Sequence, residues 1–98
     1  MTINYSEIFK LSSLLLDKKI PFEMLKVNFA NGYQILYPNR LNRVCSVILH
    51  SGSYGHEEGL LEIMGLLTDE ESEWDSVVGY LSAVEVFERI NKHYNENK

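Results

Sequence analysis

Residues Thr68 to Asp75 read TDEESEWD and place five carboxylates, Asp69, Glu70, Glu71, Glu73 and Asp75, within seven positions. Trp74 stands among them, and no Lys or Arg lies in the stretch to offset them. Like charges this close repel one another, so the cluster costs stability unless something compensates. A tryptophan is expensive to leave in a loop unless it packs on the core or on a partner, and Trp is enriched at interface hot spots. A carboxylate row at a spacing comparable to phosphates could sit in a basic groove built for nucleic acid. It would share the steering and counterion release that nucleic acid enjoys there. The plainer alternative is a solvated loop whose charge keeps the chain soluble. Calcium fits less well, because the order of oxygen ligands around a central glycine that an EF-hand needs is missing.

A second candidate is the loop SGSYGHEEG, Ser51 to Gly59, which follows an apolar run. Backbone amides of such a loop can cradle a small ligand, with hydroxyls from Ser51, Ser53 and Tyr54. The pattern is neither of the two common phosphate-binding glycine motifs. Glu57 and Glu58 would repel an anion, and a long hairpin loop is the simpler account. His50, His56 and Glu57 are of types that ligate metals or move protons, and the two histidines could converge across the loop. Without a motif around them, solvent-facing or structural roles are the default, and no metal site or catalytic residue is assigned. His93 suits the negative end of a C-terminal helix. Six tyrosines are many for this length, but the bases are too few and scattered for a groove that binds DNA or RNA directly. The single cysteine, Cys45, excludes an internal disulfide and a cysteine-based zinc site, and its apolar surroundings predict a buried, inert thiol.

These candidates must be carried by one domain, residues 1–98. The apolar content of 45% and charged content of 23% are those of a globular chain. No apolar run approaches a membrane span, and the start lacks the pattern of a signal peptide, which together predict a cytoplasmic protein. The net charge of −5 is unevenly distributed. Between Arg43 and Arg89 there is no Lys or Arg, and that interval carries a net −10, against +5 on the flanks. Such asymmetry bears on partners, not on fold.

The spacing predicts a helix from Asn4, with Glu7 turning back to the cap amide and Ile8, Leu11, Leu14, Leu15 and Leu16 as its apolar stripe. Pro21 ends it. Strands are expected over Phe22–Val27, Tyr33–Tyr37 and Val44–His50, the first two joined by a turn in which Asn31 and Gly32 accept positive φ. The third is expected to be central. Leu60–Leu67 reads as a strand, the acidic stretch as a loop or one helical turn, and Ser76–Leu81 as a last strand. Ser82 and Glu85 form a capping box ahead of a helix with Val84, Phe87 and Ile90 on its apolar face and Val86 near its edge, ending near His93 before a tail, Asn95 to Lys98, that should fray. The expected fold is α+β: an antiparallel sheet of four to five strands covered by an N-terminal and a C-terminal helix, in the order α-β-β-β-β-β-α. An exposed edge strand between Leu60 and Leu81 would be a place for a second copy to pair.

The segments GYQILYPN (32–39), SVILHSGSYGHEEGLLEIMGLL (46–67) and DSVVGYLSAVEVFERI (75–90) resemble a group of small phage and prophage proteins of Gram-positive bacteria. With the first helix, the resemblance covers nearly the whole chain, and it carries no functional residue over. It implies an anti-defence context, in which anti-CRISPR inhibitors are one large class. The expectation is a non-enzymatic, cofactor-free protein that binds and blocks a basic nucleic-acid-handling host protein such as a CRISPR nuclease. Asp69, Glu70, Glu71, Glu73 and Asp75 would stand in for phosphates, with Trp74 as the anchor. The alternative is a small-ligand binder or signalling-nucleotide sponge that uses His50, Ser51, Ser53, Tyr54, His56 and Glu57.

Overall fold

In the computed structural model, which describes residues 2–98, the first helix, α1 (Ser6–Asp17), opens where Asn4 Oδ1 accepts the Ser6 amide at 2.9 Å. Glu7 does not turn back to this cap. Its Oε1 accepts the Ala83 amide at 2.8 Å, 76 residues along the chain. That amide begins the last helix, where an unpaired donor and the positive dipole end favour a carboxylate. Ile8, Leu11 and Leu15 are buried, whereas Leu16 leaves the predicted stripe and is 65% exposed. The helix closes with Lys19 at φ 58, the Lys19 amide bonding Leu16 O and the Ile20 amide bonding Leu15 O. This is the Schellman arrangement, and it folds Ile20 back onto the core before Pro21.

Five strands follow: β1 (Glu23–Val27), β2 (Gly32–Tyr37), β3 (Cys45–Leu49), β4 (Leu61–Met64) and β5 (Val77–Leu81). They form one antiparallel sheet in the order β1-β2-β3-β4-β5, so β3 is central as expected. In the β1–β2 turn only Asn31 takes positive φ, at 47. Gly32 is already strand, and it is required for a different reason: a Cβ there would collide with Leu49 O and His50 Cβ on the neighbouring strand. The strand expected over Leu60–Leu67 stops at Met64, because Gly65 and Leu66 turn the chain with φ 95 and 55.

The acidic stretch is helical. The second helix, α2 (Asp69–Trp74), is a short element with a complete capping box, in which Thr68 Oγ1 accepts the Glu71 amide and Glu71 Oε1 accepts the Thr68 amide. The third, α3 (Ala83–Glu96), has the predicted Ser82/Glu85 box but runs past His93 to Glu96, taking in the first two residues of the tail expected to fray. Its buried positions are Ala83, Val86 and Ile90, while Val84 is 42% exposed. The buried face therefore keeps Ile90 but is centred on Val86, at the edge of the predicted one, with Phe87 still packed against the core. Several apolar phases fit this sequence, and contact with α1 and the sheet selects one.

Both long helices cover the same sheet face. Ile8, Leu11 and Leu15 meet Ile35, Val47, Leu49, Leu61 and Ile63 from the sheet and Val86 and Ile90 from α3 in one cluster. The opposite face carries Gln34, Ser46, Glu62 and Met64, with Gln34 Nε2 donating to Ser46 Oγ at 2.8 Å. The result is the expected α-β-β-β-β-β-α order in two layers, with α2 inserted ahead of β5. No helix among the described residues is long and apolar enough to cross a membrane.

Candidate functional site

The acidic stretch is not without a base, because the fold supplies one from α3. Arg89 Nη1 and Nη2 donate to Glu71 Oε1 and Oε2, both at 2.7 Å, and Nη1 also donates to Leu66 O at 3.0 Å. This fork, together with the Thr68 amide, holds the Glu71 carboxyl down to about 2, far below its ordinary 4.5. Glu71 is thus committed to holding α2 against α3 and is removed from the set of free charges. Asp69, Glu70, Glu73 and Asp75 remain exposed. Trp74 lies outside the core cluster of the described residues and is 89% exposed, although a large apolar ring in water is unfavourable. On a helix, Glu70 and Trp74 are one turn apart, as are Asp69 and Glu73, so the indole lies beside the carboxylate rows.

The glycine loop is divided by the fold. His50 Nδ1 accepts the Gly52 amide at 3.0 Å, and its ring faces Phe29 on the open side of the sheet. His56 Nδ1 lies 2.6 Å from Ser53 O and donates to it, and His56 faces a different cleft. The two histidines do not converge. Ser53 is 2% exposed, accepts the His50 amide and donates to His50 O, so it is part of the loop's internal structure. Tyr54 is exposed, and its amide donates to Glu62 Oε1 at 2.8 Å. Of the loop residues singled out from sequence, Ser51, His56 and Glu57 face a shared cleft of about 520 Å³. Lys26, Tyr33 and Ile3 join them there from other elements. Among the described residues no group of three His, Cys, Asp or Glu side chains is placed to hold a metal ion.

Two features that bear on Glu57 were not legible from local sequence. Tyr80 hydrogen-bonds Glu57 through its hydroxyl, which lowers the Glu57 pKa and raises that of Tyr80. It does so from an irregularity in the β4–β5 pairing, where Gly79 and Tyr80 together oppose a single residue of β4. Tyr80, not the adjacent glycine, takes the left-handed conformation, with φ 60. That backbone is uncommon for a bulky side chain. Gly79 is needed beside it because a Cβ would strike Tyr54. The glycine in a strand was the one available signal.

Elsewhere, the Tyr37 hydroxyl and His93 Nδ1 are 2.8 Å apart. Burial raises the Tyr37 pKa, and the hydrogen bond between its hydroxyl and the imidazole gives His93 a role in docking α3. Cys45 is 2% exposed, and burial pushes its thiol up to about 12. A thiol that remains protonated and covered is a poor nucleophile.

No family model matches the chain, and no curated protein or solved structure matches it either.

Proposed function

We propose that this chain is a phage-type accessory protein that works in the host cytoplasm by binding a basic nucleic-acid-handling protein. A CRISPR effector is the class of target that fits. It acts by occupancy, not catalysis. One observation carries this reading: Trp74, 89% exposed, stands on a capped and ion-paired helix whose remaining carboxylates all face solvent. An anchored helix limits the ordering cost of binding, an indole gives desolvated contact area, and the free carboxylates compete for Lys and Arg in the target's groove. The sequence-level proposal is narrowed in one respect. Asp69, Glu70, Glu73 and Asp75 are the phosphate stand-ins, while Glu71 builds the platform.

The test uses the only tryptophan of the chain as reporter. A host nucleic-acid-binding protein captured by the wild type is titrated against it. Binding shields Trp74 from acrylamide quenching and displaces that protein's nucleic acid, and association weakens as salt rises. Trp74→Ala, and separately Asn or Gln at 69, 70, 73 and 75, are expected to weaken capture at least roughly tenfold with unchanged melting temperature. Capture that ignores salt and both variants would sink the proposal.

A further inference from the structure

We propose that the cleft between β1, the segment before α1 and the 51–59 loop is a binding site for a small zwitterion, an α-amino acid or dipeptide. The site is separate from α2 and does not depend on the function proposed above. At about 520 Å³, its volume lies in the range of small-molecule sites. Its charged groups are opposite in sign and come from different elements: Lys26 from the edge strand β1, and Glu57 from the single 3₁₀ turn His56–Glu58. Among the described residues neither has an ion-pair partner of the other's kind: Glu57 meets only His56, at 3.4 Å. The wall between them mixes the Ser51 hydroxyl and the His56 ring with the apolar surfaces of Ile3 and Tyr33.

Glu57 is prepared for an ammonium. The Tyr80 hydroxyl fixes the carboxylate and lowers its pKa, so it is ionised and oriented before any ligand arrives. Tyr80 reaches it from a left-handed backbone, and strain of this sort persists where neighbours hold it in place. Lys26 offers a carboxylate its charge-assisted partner. With one cation and one anion, the cleft is near neutral. A phosphate dianion would gain Lys26 but face Glu57, which disfavours nucleotides and inorganic phosphate. A zwitterion carries a partner for each of the two groups.

The full-length protein would be titrated with the proteinogenic amino acids and simple dipeptides by thermal shift and calorimetry, with AMP and inorganic phosphate in parallel. At least one zwitterion is expected to raise the melting temperature saturably. Its N-acetylated and amidated forms, each lacking one charge, should not. Lys26→Met and Glu57→Gln, both at surface positions, should each weaken binding roughly tenfold or more while the ligand-free protein melts unchanged. Tyr80→Phe keeps the ring but frees Glu57, and should weaken binding less. Trp74→Ala should leave it intact. The proposal is overturned if no zwitterion binds, if AMP or phosphate binds instead, or if binding survives both charge substitutions.

Discussion

Arg89 converts a self-repelling acidic stretch into an ordered one. Its fork on Glu71 is about three-quarters shielded from solvent on both sides. A bidentate pair so placed contributes about 1–2 kcal/mol, more than a fully exposed pair. Glu71 titrates at about 2 in the folded chain, below its ordinary 4.5. Its contribution is therefore complete above pH 4.5 and is lost as the pH falls toward 2. Arg89→Met is expected to lower unfolding free energy by about that amount at neutral pH. It should also flatten the decline in stability across that acid window. Denaturant melts of both proteins at several pH values would measure this, and parallel acid profiles would show that the pair contributes nothing.

The two capping boxes look alike in sequence but belong to elements of different standing. With six residues, α2 is too short to persist without its cap and its Arg89 tie, and none of its residues is buried. By contrast, α3 has fourteen residues and buries Ala83, Val86 and Ile90. Thr68→Ala should therefore act locally: hydrogen exchange accelerates at the Ser72 and Asp75 amides, which bond Thr68 O and Glu71 O, while β3 amides stay protected. Ser82→Ala should act globally, lowering the stability of the whole chain by about 1 kcal/mol. If Thr68→Ala loosened β3 as much as α2, the separation of the two elements would be wrong.

At the scale of the whole molecule, one apolar cluster joins α1, four strands and α3. Ile90→Ala, which empties part of it, should cost about 3 kcal/mol in a single cooperative transition. Trp74→Ala, at the surface, should stay within about 0.5 kcal/mol. Circular dichroism melts would compare them, and a biphasic Ile90→Ala transition would contradict a single cluster. The sequence by itself determined the identity and order of the long elements, the central place of β3, the buried Cys45 and the Ser82/Glu85 box. Those signals are short-ranged: apolar spacing, turn residues and caps act among neighbours about four positions apart or fewer. Only the tertiary structure decided where Glu7 and Glu71 spend their charge, that His50 and His56 separate, which face of α3 is buried, and that Lys26 and Glu57 line one cleft. Glu71 finds Arg89 18 residues away and Glu7 finds Ala83 76 residues away. Pairings at that range depend on which elements the meander brings side by side, and no local periodicity encodes them.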